Sequence, residues 1–372
     1  RLARDSRGST HDATPALRLI KPSVRQQGAY TLAAPVARHK INQNEAPEDL
    51  DADLKAEILR RAAARPWHRY PEFAPRSLVE RLAAHYACDP DGLLVGNGSN
   101  ELIQATLGVT LDRDDVLVAP APTFSLYRLL AAVHGAHYVG VPFARGFRYD
   151  LPRLLRTVER DDAKVLVLNT PNNPTGSALT CAEVERALDA FDGLVVCDEA
   201  YVEFGGETAI PLLARHPRLV VLRTFSKALG LAGLRFGVAI AHPLLAREIA
   251  KAKLPYNVNL VTLDAAEVVL DHAERIDARV AQVVARRERV MAAVRALPGL
   301  TVFDSAANFF VIRCEAVPAR SVFDRLLSEF GILIRDVSAG VDLEDCLRIS
   351  IGTDDDMAAL VAALQTIFGE AA

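Results

Sequence analysis

The sequence predicts an α/β fold: a large domain with a seven-stranded, mostly parallel sheet flanked by helices, joined to a smaller α+β domain. Three observations carry that expectation. Seven short β-rich runs alternate with helical patterns between residues 93 and 241. Several of the runs are continuously apolar, as strands covered on both faces are. After about residue 243 the texture turns helical, and shorter strands return only past residue 300.

In chain order the runs are L-L-V-G (93–96), V-L-V-A-P (116–120), H-Y-V-G-V-P (137–142), K-V-L-V-L-N (164–169), L-V-V-C-D (194–198), L-V-V-L-R (219–223) and L-R-F-G-V-A-I (234–240). Strands separated by helices build an open parallel sheet, and such sheets bind ligands at the carboxyl ends of their strands. T-C-A-E at 180–183 marks a helix start, because the Thr180 hydroxyl and the Glu183 carboxylate can satisfy orphan N–H groups there. A long Arg- and Ala-rich helical pattern runs from Ala273 to Leu297. It leads into T-V-F-D (301–304), N-F-F-V-I-R (308–313) and C-L-R-I-S-I (346–351), with a helix near 319–330. Thr353 caps the closing helix, with Asp354, Asp355 and Asp356 in its electropositive first turn.

A length of 372 residues suits two domains with a substantial core. Half the chain is apolar and about a quarter is charged, an ordinary water-soluble profile. The net charge of −4 supplies no clustered excess of Lys and Arg, so neither nucleic acid nor an anionic membrane is an expected partner. Five cysteines, Cys88, Cys181, Cys197, Cys314 and Cys346, stand far apart with no C-x-x-C spacing. They read as free thiols of a reducing cytoplasm, with no metal site. No apolar run approaches a membrane span, and the first residues lack the apolar core of a signal peptide. Residues 1 to about 15 are expected to be flexible.

Four polar features fall at or beyond the predicted strand ends. Gly96-Asn97-Gly98-Ser99-Asn100-Glu101 opens a helix after the first strand, which makes either an anion site or a plain turn. Asn172-Asn173-Pro174-Thr175-Gly176 follows the fourth strand as a turn. Asp198 ends the fifth, partly removed from water, and needs a partner: a local salt bridge or cap, or a protonated ring nitrogen. Lys227 follows the sixth, among Thr224, Ser226, glycines and Arg235. A solvated surface lysine needs no such company, whereas a reactive lysine must be desolvated or set near positive charge so that a neutral amine is present. An amine, an anion clamp and a buried carboxylate together suit a cofactor with an aldehyde, a phosphate and a basic pyridine, which is pyridoxal phosphate.

The chain resembles the fold-type I pyridoxal-phosphate aminotransferases and, more narrowly, histidinol-phosphate aminotransferases. The matching stretches run in family order: K-I-N-Q-N-E-A-P (40–47), H-R-Y-P-E (68–72), G-N-G-S-N-E-L-I (96–103), P-T-F-S-L-Y (122–127), N-T-P-N-N-P-T-G (169–176), C-D-E-A-Y-V-E-F (197–204), T-F-S-K-A-L-G-L-A-G-L-R-F-G (224–237) and C-L-R-I-S-I-G-T (346–353). The resemblance implies an aspartate-aminotransferase-like architecture. Residues 1–37 would form an N-terminal arm, 38–62 with 273–372 the small domain, and 63–272 the large cofactor-binding domain. It further implies that Lys227 forms an aldimine with the cofactor and then moves the proton between Cα and C4′. Asp198 would pair with the pyridinium nitrogen, and Asn173 and Tyr201 would hydrogen-bond the ring 3′-oxygen. Ser99, Asn100, Thr224, Ser226 and Arg235 would hold the phosphate, and Phe124 would stack on the ring. Tyr70 matches a tyrosine that reaches the phosphate of the neighbouring subunit, which implies a homodimer with shared sites.

Substrate contacts follow from the same resemblance. Arg348 matches the arginine that binds the α-carboxylate, and Arg335 lies where histidinol-phosphate enzymes place a second arginine suited to phosphate. Tyr30 and Asn44 resemble substrate-facing positions, Asn173 is shared with the substrate, and Tyr256-Asn257 lies near the pocket in relatives. Two departures stand out: Ala46 replaces the second asparagine of the usual N-E-N-P, and Asn100 stands where G-S-D-E would put an aspartate. The implied reaction transfers an amino group between L-histidinol phosphate and 2-oxoglutarate, in histidine biosynthesis, by a ping-pong mechanism. Alternatives on the same scaffold are an aromatic or broad-specificity amino-acid aminotransferase and a threonine-phosphate decarboxylase. A non-catalytic regulator is disfavoured by the intact lysine, aspartate and arginines.

Overall fold

A computed structural model describes residues 15–28 and 35–370. The expected flexible start of the chain lies outside the described residues. The first strand is the short β1, His39–Lys40. Seven strands then build the large sheet: β2 Leu93–Gly96, β3 Val116–Ala121, β4 His137–Pro142, β5 Val165–Asn169, β6 Leu194–Asp198, β7 Leu219–Thr224 and β8 Gly237–Ala241. Their order is β2-β8-β7-β6-β5-β3-β4. The sheet is parallel from β7 to β4, and only β8 runs against its neighbours β2 and β7. Every residue of β5, β7 and β8 is buried, as an apolar run covered by helices on both faces requires.

The register explains why the polar features converge. Asn169 of β5 pairs with Asp198 of β6, so two strand ends lie side by side. Because β8 is antiparallel, its first residue, Gly237, sits opposite both Thr224 at the end of β7 and Gly96 at the end of β2. Strand β8 begins three residues later than the run 234–240 predicts. Ala232–Leu234 forms a 3-10 turn and Arg235 takes a left-handed φ of 56°, which ends any extended pairing there.

Past the sheet, the helix Ala273–Arg295 leads to β9 Leu300–Val302, β10 Phe309–Cys314, the helix Ala319–Ser328, then β11 Ile332–Leu333, β12 Arg335–Asp336 and β13 Cys346–Ser350. Strands β12-β13-β10-β9 form an antiparallel sheet, while β1 pairs with β11 in parallel. Both capping boxes are present, Thr180 with Glu183 and Thr353 with Asp356.

The two sheets meet through the long helix. Its Arg287, buried, donates from Nη1 to the carbonyls of Phe204 (3.0 Å), after β6, and Ala307 (2.8 Å), before β10. Its Arg286 reaches Asp354 (3.1 Å), Glu48 (3.1 Å) and the Gly352 carbonyl (2.8 Å), which ties segment 41–50 to the closing helix. Among the described residues no helix is long and apolar enough to cross a membrane.

Candidate active site

A cavity of about 750 Å³ opens where the strand ends of the large sheet face β12 and β13. At its floor lies Asp198, 3% exposed. Oδ2 accepts from the Tyr127 hydroxyl at 2.6 Å and Oδ1 from the Ala200 N–H at 3.2 Å. Burial raises its pKa to about 6, against the pull of these two donors. No cation among the described residues pairs with it. Neighbouring Glu199 is spent on structure: it accepts from Ala209 N–H (2.6 Å) and Thr208 (2.8 Å) and lies 3.2 Å from Arg223. Alternation at the strand end turns these adjacent carboxylates to different surroundings.

Lys227 stands in the cavity wall, its Nζ donating to the Gln43 carbonyl at 3.0 Å. Burial, helped by the charges of Arg348 and Arg235 and opposed by Glu45, lowers its pKa to about 8. The turn around it is a polar cradle. Arg235 donates from Nη1 to the Ser226 hydroxyl (3.2 Å) and the Ala232 carbonyl (3.1 Å), and Thr224 donates to Ser226 (3.0 Å). The helix Ser99–Thr110 points its N-terminus into the same corner. Two glycines make this approach possible. A Cβ on Gly98, whose φ is +78°, would stand 2.4 Å from Arg235 Nη2, and one on Gly237 would stand 2.3 Å from the Ser99 nitrogen. Backbone N–H groups, two hydroxyls and a guanidinium thus converge on one anion-sized place.

The opposite wall belongs to the small sheet. Arg348 on β13 is 8% exposed; it donates to the Asn173 side-chain oxygen and, at 2.7 Å, to the Asn42 carbonyl. Its guanidinium lies 5.3 Å from the Phe309 ring centre, and that ring meets Tyr201 edge-on at 5.1 Å. The Tyr201 hydroxyl accepts from Asn44 Nδ2 at 3.2 Å, and Asn44 is locked by Ser350 and Asn308. Arg335 on β12 is the register partner of Arg348, so two cations face each other across one pair of strands. The Arg335 side chain makes no hydrogen bond or ion pair among the described residues. Beyond it Val337, Ala339, Gly340 and Leu343 complete the wall.

Comparison with known proteins agrees with this chemistry. Residues 39–364 match the family described as aminotransferase class I and II. The chain belongs to the class I and II aminotransferase family. It is 36% identical over 353 residues to the histidinol-phosphate aminotransferase of Prosthecochloris aestuarii, covering 94% of this chain and 98% of that one. It is 38% identical to histidinol-phosphate aminotransferase 2 of Bordetella bronchiseptica, covering 94% and 96%. A solved histidinol-phosphate aminotransferase from Sinorhizobium meliloti, in complex with pyridoxal-5'-phosphate, superimposes with a TM-score of 0.86 at 27% identity over 98% of this chain and 100% of that one.

As a member of this family the protein is a transaminase, and its cofactor is pyridoxal phosphate. The residues fit that group: a cradle that a single Cβ on Gly98 would fill, a desolvated carboxylate without a cation, and an amine of lowered pKa. The cavity brings together Ser99, Asn100, Phe124, Asn173, Asp198, Tyr201, Thr224, Ser226, Lys227, Arg235, Asn44, Arg335 and Arg348. Tyr70 is elsewhere, 81% exposed and stacked on Tyr256 at 4.5 Å. Tyr30 lies outside the described residues. Neither Tyr256 nor Asn257 lines the cavity; Asn257 instead donates to Glu101 (2.7 Å), which also holds the Asn97 N–H. Ala46 borders a smaller cavity of about 300 Å³. Sequence reasoning passed over Tyr127, though it lies three residues beyond Phe124, and over Asn42 and Gln43, whose contributions are backbone carbonyls that no side-chain pattern encodes.

Proposed function

We propose that this transaminase moves an amino group between L-histidinol phosphate and 2-oxoglutarate, a step of histidine biosynthesis, in two half-reactions that share one cavity. The observation that carries this reading is Arg335, facing Arg348 in register with no partner among the described residues. Like charges directly opposite are unfavourable in a sheet, and a doubly anionic substrate offsets them. Both substrates carry such charge, one as a phosphate ester and the other as two carboxylates. Relatives at 36–38% identity named for histidinol phosphate support the same choice.

When bound, pyridoxal phosphate supplies the carbonyl carbon that takes the amino group and a ring that accepts the electron pair left at Cα. The chain's residues prepare the rest. Ser99, Asn100, Thr224, Ser226 and Arg235 bind the phosphate. Asp198 holds a proton at the ring nitrogen, while Asn173 and Tyr201 orient the ring oxygen. Phe124 flanks the ring and excludes water from one face. Lys227 supplies the neutral amine that anchors the cofactor, and its Nζ takes and returns the Cα proton. Arg348 binds the α-carboxylate of the oxo acid, and Arg335 the substrate phosphate or the far carboxylate; Asn44 steadies the Tyr201 hydroxyl beside them.

The exposed aromatic cluster of Tyr70, Phe73 and Tyr256 supports a homodimer in which Tyr70 reaches the partner's phosphate site. Free cysteines support a cytoplasmic setting. Steady-state comparison of histidinol phosphate, phenylalanine, tyrosine and phosphothreonine, each with 2-oxoglutarate, tests the substrate. The expected result is the highest kcat/KM for histidinol phosphate. Preference for phenylalanine overturns the assignment, as does carbon dioxide release from phosphothreonine as the dominant reaction.

A further inference from the structure

Asn257 lies outside the cavity, behind its anion corner, and its side chain spans a cation and an anion. Its Oδ1 accepts from Lys253 Nζ at 2.8 Å, and its Nδ2 donates to Glu101 Oε2 at 2.7 Å. Lys253 also donates to the Val95 carbonyl of β2 at 2.9 Å, and Glu101 Oε2 also accepts the Asn97 N–H. Burial lowers the Lys253 pKa and the charge of Glu101 opposes that shift, so the two ions attract each other across the amide. Tyr256 takes a left-handed φ of 54°; its ring stacks on Tyr70 while the next side chain turns to Glu101. A bulky residue keeps such a backbone only where its surroundings impose it.

Glu101 stands in the first turn of the helix Ser99–Thr110, and the Asn97 N–H that it holds opens the turn that delivers Ser99 and Asn100 into the cavity. A carboxylate one turn from an anion site works against the anion unless its charge is compensated on the far side. Its Oε1 is buried and accepts no hydrogen bond among the described residues, so Asn257 is the one side chain there that donates to it. Without Asn257 the carboxylate keeps a single backbone donor, and swinging toward water would release Asn97. We propose that Asn257 is a positioning residue for the anion corner: by fixing Glu101 it holds the Asn97-Gly98 turn in the shape that presents Ser99 and Asn100 to the cofactor's phosphate. This rests on the reading of Ser99, Asn100 and Arg235 as the residues that bind that phosphate.

The test measures, by absorbance at one fixed pH, the Kd of the whole cofactor-free chain for pyridoxal phosphate and for pyridoxal, which lacks the phosphate. In Asn257→Ala the Kd for pyridoxal phosphate should rise about tenfold, the scale of a lost hydrogen bond to a charged group, while that for pyridoxal stays within about twofold. A folded Asn257→Ala protein in which the ratio of the two constants does not rise overturns the proposal, because a general loosening of the fold weakens both ligands alike. Should that variant not fold by circular dichroism, Asn257→Asp keeps the acceptor for Lys253 but sets an oxygen against Glu101. The ratio is then expected to rise at least as far, and an unchanged ratio there overturns the proposal equally. Arg235→Gln separates the two ideas. If it leaves the ratio unchanged, the assignment of the phosphate-binding corner itself fails. If it raises the ratio while Asn257→Ala does not, only the role of Asn257 fails.

Discussion

The two walls of the cavity are built by different means. The wall on the large sheet consists of strand ends and a helix start, where Asp198, Thr224, Ser226 and Ser99 are all buried and the first three are held by hydrogen bonds. The wall on the small sheet has one buried and held arginine, Arg348 on β13, but the rest of it hangs from a two-residue strand, β12, and from segment 337–343, with Arg335, whose side chain has no hydrogen bond or ion pair among the described residues. The contrast teaches where binding energy is prepaid. A cofactor that stays through every cycle is met by groups already desolvated and oriented, whereas substrates that alternate are met by charge on short elements that can serve two shapes.

If that contrast holds, variants of the two walls separate by what they change. The largest effect is expected for Lys227→Ala. Proton transfer by a positioned side chain contributes about 10²–10⁴-fold to rate, and this lysine also anchors the cofactor, so kcat should fall more than about 10³-fold. The absorbance band of the covalently held cofactor should vanish while the phosphate cradle still retains pyridoxal phosphate by dialysis. A variant keeping near-normal turnover would break the assignment of the large-sheet wall altogether.

Next in size is the opposite wall. Arg348→Gln removes a charged fork from a buried place, and kcat/KM for 2-oxoglutarate should fall roughly 10²-fold. Arg335→Gln should cost about tenfold with histidinol phosphate and little with phenylalanine as amino donor. Arg335→Gln should leave the Kd of pyridoxal phosphate unchanged, and Arg348→Gln should change it less than Gly98→Ala does at a pH where Lys227 is neutral in either protein. Gly98→Ala is the mirror experiment: its Cβ displaces the Arg235 guanidinium, so the Kd of pyridoxal phosphate should rise about tenfold while KM for 2-oxoglutarate stays put. If either arginine variant weakened cofactor binding as much as Gly98→Ala does, the two walls would not be separate devices.

The same contrast governs what the sequence disclosed. Several strands of the large sheet are continuous apolar runs and all are bounded by turn residues, so six of the seven are legible to within a residue, and the motifs at their ends come with them. Strands β11 and β12 have two residues each, too few to display a period of two, and they went unread. Arg335 was found only through family resemblance, since nothing local distinguishes it. The run 234–240 predicts strand β8 three residues too early because L-R-F-G looks extended, whereas Ala232–Leu234 forms a 3-10 turn and Arg235 is left-handed, its side chain held by Ser226 and the Ala232 carbonyl. Tyr127 was hidden for another reason: a buried tyrosine looks like core until the carboxylate it serves is seen.

The smallest expected effect tests an electrostatic link between the walls. Lys227 has its pKa lowered to about 8, first by burial and then by the charge of Arg348, which sits on the other wall. The depressed value means that the neutral amine becomes available as pH rises through about 8, well below the usual lysine range. Capture of added pyridoxal phosphate by the cofactor-free protein, followed by absorbance, should therefore quicken with pH and level off above that point. Asp198, raised to about 6, titrates below this window and leaves it undistorted. In Arg348→Gln one of the charges holding the lysine down is gone, so the midpoint should move to higher pH. Because burial is the larger cause and remains, the displacement should be a fraction of a unit. A midpoint that does not move would mean that the small-sheet wall acts on substrate alone; one that moves the other way would mean that Arg348 excludes more water from Lys227 than its charge accounts for.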